Sequence, residues 1–150
     1  VAPLAFAAYE TGAIVSRFGG DLLVRRRGDV FVVRLGTALG IAGLVGVVAA
    51  PAPSLAIASF FVVGLGLAIL APLSFAAIAG AVGPAAVDVA IARLNIANYL
   101  GAILGGALIG VAASAHYLRW AFVIPLVMLP AVLVVAKAFS VADVTDPTTQ

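Results

Sequence analysis

The sequence predicts an all-α fold, a polytopic transmembrane bundle of about five membrane-spanning helices, and three observations predict it. Hydrophobic residues make up 65% of the 150-residue chain and charged residues 9%, against roughly 45–50% and 25% in soluble domains. No charged residue occurs from Leu35 to Val87. As one helix that stretch would be about 80 Å long, against a hydrocarbon core of about 30 Å, so it must fold back on itself. The apolar runs also lack barrel-type alternation, and in lipid only a helix or a closed barrel bonds every backbone group.

The first span is expected over residues 1–18. The chain opens on Val1, without a basic leader and a small-residue cleavage site, and so reads as the start of a fragment rather than a signal peptide. This span carries Glu10. Counted back from Phe18, Glu10 lies about 12 Å above the cytoplasmic boundary, close to mid-depth. A central acid costs about 2.5–3.5 kcal/mol on insertion scales, so it is expected to face a cavity or a partner. Arg17, seven residues on, shares its face.

Residues 19–29 are expected to form a short charged loop containing Gly20, Asp21, Arg25, Arg26, Arg27 and Gly28. The second span covers 30–50. Pro51-Ala52-Pro53-Ser54 then ends one helix, and Ser54 can cap the next. The third span covers 54–80 and includes Ser74 and Pro72. Pro72 removes a backbone donor and predicts a kink near Ala68. Gly64-Leu65-Gly66 sits inside this apolar span and is no dinucleotide fingerprint.

Residues 80–89 form a second polar connection. The fourth span, 90–113, holds Asn95, Asn98 and Tyr99 among its glycines. Gly101/Gly105 and Gly106/Gly110 are two small-xxx-small pairs, which predict helix packing at this face. After the loop Ser114-Ala115-His116 the fifth span covers 117–139, so the bundle occupies 1–139. Residues 140–150 form a polar tail.

Basic residues set the orientation. Arg17, Arg25, Arg26, Arg27, Arg34, Arg93 and Lys137 fall on one side of an alternating topology, and Arg119 on the other. The positive-inside rule places the first loop, the third loop and the C-terminus in the cytoplasm. Tyr117 and Trp120 then sit at the outer interface.

The stretch Gly20-Asp21-Leu22-Leu23-Val24-Arg25-Arg26-Arg27-Gly28 resembles the cytoplasmic loop motif of the major facilitator superfamily, although it is one residue longer than the family pattern. The order of spans also resembles helices eight to twelve of such a transporter: charged first, aliphatic second, proline-kinked third, glycine-rich fourth and aliphatic last. The resemblance implies a fragment of the C-terminal half of a permease, carrying a small solute by alternating access in the cell membrane. It implies that Glu10, Ser74, Asn95, Asn98 and Tyr99 border the substrate or ion pathway. It also implies that Gly20, Asp21, Arg25, Arg26, Arg27 and Gly28 form a gating loop. The arginines serve equally as topological anchors, and Asn95 and Asn98 equally as interhelical glue.

The expected partners are the lipid bilayer, the missing N-terminal half of the same transporter and an unknown small-molecule substrate. A net charge of +2 gives no reason to expect a nucleic-acid partner. With no cysteine, a single histidine and neither an H-E-x-x-H nor a G-x-S-x-G arrangement, no enzyme, metal site or cofactor is expected. The alternative from another class is a non-transporting integral membrane subunit.

Overall fold

Prolines and one left-handed glycine divide this apolar chain into its helices. The computed structural model describes residues 2–114 and 118–136, and every regular element among them is helical. The order is α1 (Ala2–Arg27), α2 (Asp29–Ala49), α3 (Pro53–Leu67), α4 (Leu70–Ala81), a 3-10 turn (Pro84–Ala86), α5 (Val87–Ser114), α6 (Leu118–Ala121) and α7 (Val123–Val135). His116, Tyr117, Lys137 and the tail lie outside the described residues.

The expected loop over residues 19–29 is corrected. α1 runs unbroken to Arg27, and the reversal into α2 is made by Gly28 alone, at φ 80°. Glycine reaches that left-handed conformation at no steric cost. The Gly28 N–H still donates to the Val24 carbonyl at 2.8 Å, which closes the last turn of α1. Arginine and aspartate are no obstacle to a helix where water can reach them, so charge alone did not end it.

The third span breaks where Pro72 requires. Pro72 offers no N–H to the Ala68 carbonyl, and α3 gives way to α4 at Ala68 and Ile69. The last bond before the break runs from the Ala68 N–H to the Gly64 carbonyl, and the first after it from the Leu73 N–H to the Ile69 carbonyl. The same device separates α6 from α7, because Pro125 has no N–H for the Ala121 carbonyl. Three stretches are long and apolar enough to cross a membrane: Asp29–Ala49, Pro53–Ala81 and Pro84–Val111. α1 has the length but carries Glu10, Arg17 and Asp21, while α7 is a shorter apolar helix.

α3 is the centre of the described bundle, with α1 on one side and α2 on the other. Glycines bring these helices together backbone to backbone. A Cβ built at Gly64 would collide with the Tyr9 carbonyl, and one at Gly12 with the Phe61 carbonyl. On the α2 side a Cβ at Gly36 would stand 2.6 Å from the Gly66 carbonyl oxygen, and one at Gly43 2.7 Å from the Val63 nitrogen. Lipid tails are as apolar as leucine, so such close van der Waals contact is what holds helices together in a bilayer.

Two apolar clusters fill the remaining space. Val32, Val33, Ile69 and Leu73 meet toward the Gly28 end of the bundle, and Leu44, Val47, Val63 and Leu129 toward the Pro53 end. Phe60 of α3 meets Phe122 edge to face at 5.3 Å, which ties the α6–α7 break to the centre. The hydroxyls of Thr37, Ser59 and Ser74 each donate to the carbonyl four residues earlier, at 2.7–2.8 Å. No buried side-chain nitrogen or oxygen among the described residues lacks a hydrogen-bond partner.

Candidate functional site

The two faces of α1 differ in chemistry. One is a small-residue stripe (Ala5, Gly12, Ala13, Ser16, Gly20) buried against α3 and its neighbours. On the exposed flank stand Glu10, Arg17 and Asp21, spaced seven and four residues apart and therefore in one line. Asp21 joins that line only because α1 remains helical beyond Phe18.

The register with α3 fixes the level of these groups along the bundle. Gly64 is eleven residues past Pro53, the first residue of α3, or about 16 Å along the helix. Its contact with Tyr9 and Ala13 puts Glu10 at the same level along the bundle. Gly20 packs on Ile69, about 24 Å from Pro53 by the same rise. Arg17 and Asp21 therefore lie toward the Gly28 end of α1, and Arg25, Arg26 and Arg27 form its last turn.

The other expected pathway residues are spread over α4 and α5. Ser74 is half-buried, its hydroxyl held by the Leu70 carbonyl at 2.8 Å. Asn95 is half-buried, and Asn98 and Tyr99 are exposed. Asn98 stands about three turns from Ile109 and projects from the same face of α5. Ile109 lines an apolar cavity of about 610 Å³ together with Phe6, Tyr9, Phe60 and Phe122. At Ile109, α5 therefore borders the same cavity as α1 and α3. No hydrogen bond or ion pair joins Glu10, Ser74, Asn95, Asn98 and Tyr99 to one another.

Gly101, Gly105, Gly106 and Gly110 meet no neighbouring helix among the described residues. Nothing lies within 4 Å of a Cβ built at any of the four. The glycines that bring helices together are Gly12, Gly36, Gly43, Gly64 and Gly66 instead.

The residues of the expected gating loop have separate environments. Gly20 is buried, with Ile69 occupying the space its side chain would need. Asp21, Arg25 and Arg26 are exposed. The Arg27 guanidinium lies over the Phe31 ring at 5.4 Å and braces α1 against α2 across Gly28.

A second cavity, of about 450 Å³, opens between α1 and α4. Arg17 and Asp21 line it on one side and Ile69, Ala71, Pro72 and Phe75 on the other. The sequence places Arg17 on the Glu10 face but does not show its alignment with Asp21, because the charged residues 19–29 read as a loop. The i, i+4 spacing of the two was the available signal. Among the described residues no three histidine, aspartate or glutamate side chains gather where they could hold a metal ion.

The family model described as Major Facilitator Superfamily matches residues 1–150. No curated protein and no solved structure matches the chain.

Proposed function

Because this chain belongs to the Major Facilitator Superfamily, and so to a membrane transporter of that superfamily, we propose that it carries a small solute across the cell membrane by secondary active transport. The helices work as one half of a permease that rocks against a second set of helices around a midplane site. One observation carries this reading. α1 is locked to α3 through its small-residue face, so its line of Glu10, Arg17 and Asp21 is turned away from that contact. Charges at such depth are costly against lipid and belong in a water-filled cavity or against a partner.

In this reading Glu10 sits at the centre of the pathway, with Ser74, Asn95, Asn98 and Tyr99 on its other walls. Asp21 and Arg25–Arg27 act at the cytoplasmic end, where they bias the inward- and outward-open states. The test is counterflow in proteoliposomes. Full-length permease is expected to give saturable uptake that preloaded solute accelerates. Residues 1–150 alone are expected to give none, since the cavity then lacks its opposing wall. Saturable counterflow by this chain alone would overturn the two-half reading.

The proposed orientation puts the connection at Gly28, the connection at Gly83 and the C-terminus in the cytoplasm. Single cysteines at Ala52 and Gly83, both exposed and in connections between helices, are expected to react with an impermeant thiol reagent from opposite sides. Ala52→Cys should label from outside and Gly83→Cys only after the membrane is opened. Labelling of both from one side refutes this topology.

A further inference from the structure

The cavity between α1 and α4 has a composition that selects one kind of ligand. Arg17 and Asp21 are one helical turn apart and both line it. At that spacing an arginine and an aspartate are within reach of each other, yet no ion pair joins them, nor either of them to another described residue. One cation and one anion are thus presented side by side. The facing wall is apolar: Ile69, Pro72 and Phe75 come from the point where the third span breaks.

Each part of this lining excludes something. A dianion gains from Arg17 but is repelled by Asp21, and a dication meets the reverse. A neutral polyol finds no amide or hydroxyl on the α4 wall. A small zwitterion satisfies both charges at once. The guanidinium presents a planar fork that matches a carboxylate, while the aspartate accepts from an ammonium. An aliphatic or aromatic body then lies against Ile69, Pro72 and Phe75. A volume of about 450 Å³ holds a molecule of that size.

We propose that this cavity is a cytoplasmic-side subsite for a small zwitterion with an apolar body, of the apolar α-amino-acid type. The inference rests on the reading of α1 as lining a solute pathway and names the class of solute. Glu10 lies about 10 Å farther in along the same face, so the subsite stands between the midplane and the cytoplasm.

The test measures binding to full-length protein in nanodiscs of phosphatidylglycerol, which contain no zwitterionic lipid. Three probes are compared: L-leucine, isoamylamine (leucine without its carboxylate) and 4-methylpentanoate (leucine without its amine). Leucine is expected to bind at least about tenfold more tightly than either analogue, since each loses a charge-assisted bond. Arg17→Gln should weaken leucine by a similar factor and leave isoamylamine within about twofold, and Arg17→Lys should recover part of the loss. Asp21→Asn should weaken leucine and isoamylamine together and spare 4-methylpentanoate.

Absence of leucine binding by monodisperse wild-type protein overturns the proposal, as does equal affinity for all three probes. Equal losses for every probe in both variants overturn it too. A zwitterionic lipid headgroup shares this chemistry, so the measurement is repeated in phosphatidylethanolamine nanodiscs. If that lipid raises the melting temperature through Arg17 and Asp21 while leucine binds in neither membrane, the occupant is a lipid and the solute proposal fails. Leucine binding without counterflow would sink the transport reading and keep the site. Counterflow of another solute without leucine binding would sink the site alone.

Discussion

Glu10→Gln in the full-length permease is expected to cut gradient-driven uptake by at least about tenfold while leaving expression and thermal stability unchanged. The change keeps the shape and the hydrogen-bonding capacity of the side chain and removes its charge and its titration. It leaves the fold alone because Glu10 makes no ion pair among the described residues and its neighbours on the packed face, Gly12 and Ala13, are untouched. The effect on transport is large because the carboxylate stands near mid-depth, where an acid costs about 2.5–3.5 kcal/mol on insertion scales. A factor of ten corresponds to about 1.4 kcal/mol, less than that cost. The measurement is uptake with and without an imposed pH gradient, for wild type and variant at matched expression. Loss of gradient dependence identifies Glu10 as a proton carrier. Retained gradient dependence with weakened affinity for a cationic group identifies it as a counter-charge. Identical behaviour in both respects would remove Glu10 from the pathway.

Gly64→Leu is expected to have the largest effect on stability of any single change at a glycine in the bundle. The backbone of α1 already touches α3 at Gly64, through the carbonyl of Tyr9 and the amide of Ala13. A side chain there meets backbone on the facing helix, so no rotamer change relieves the clash and the helices must separate. Overpacking of a well-packed core costs typically about 1–3 kcal/mol, and a clash against backbone belongs at or above the top of that range. Gly105→Ala is the control. It enters open space, and replacing glycine by alanine in a helix favours it by about 0.8–1.0 kcal/mol in solvent-exposed hosts. Unfolding in detergent, by heat or by increasing dodecyl sulfate, should show Gly64→Leu strongly destabilised and Gly105→Ala at or above wild type. Equal stability of the two variants would mean that α1 and α3 do not meet as closely as described.

Much of this architecture was legible in the sequence. The charge-free stretch demanded a reversal, and Pro51-Ala52-Pro53 is where it occurs. Pro72 predicted a kink near Ala68, and the helix breaks at Ala68 and Ile69.

What was not legible has physical causes. Residues 19–27 look like a loop because they are charged, but nothing in them stops a helix before Gly28. That misassignment hid the alignment of Asp21 with Arg17, and with it the cavity they share. Glycine spacing was a poor guide to contact. Gly101/Gly105 and Gly36/Gly40 have the same four-residue separation, and Gly12, Ser16 and Gly20 extend it over about two turns of α1. Spacing identifies a helix face that permits close approach. Which face is used depends on the partner opposite, and that belongs to the assembled bundle.

The central position of α3 also governs how the bundle can be made. α1 and α2 leave the ribosome before α3, yet they touch each other only sparingly, and most of their packing is onto α3. Neither half of the first helical hairpin can complete its glycine contacts while waiting. α1 is the more precarious of the two, because it carries the charges and lacks the apolar length of its neighbour. Its closest backbone contact is therefore made only on the arrival of residues near Gly64. The hairpin is held open until a later segment slots into it, so the order in which the nascent chain inserts differs from the order in which its helices pair.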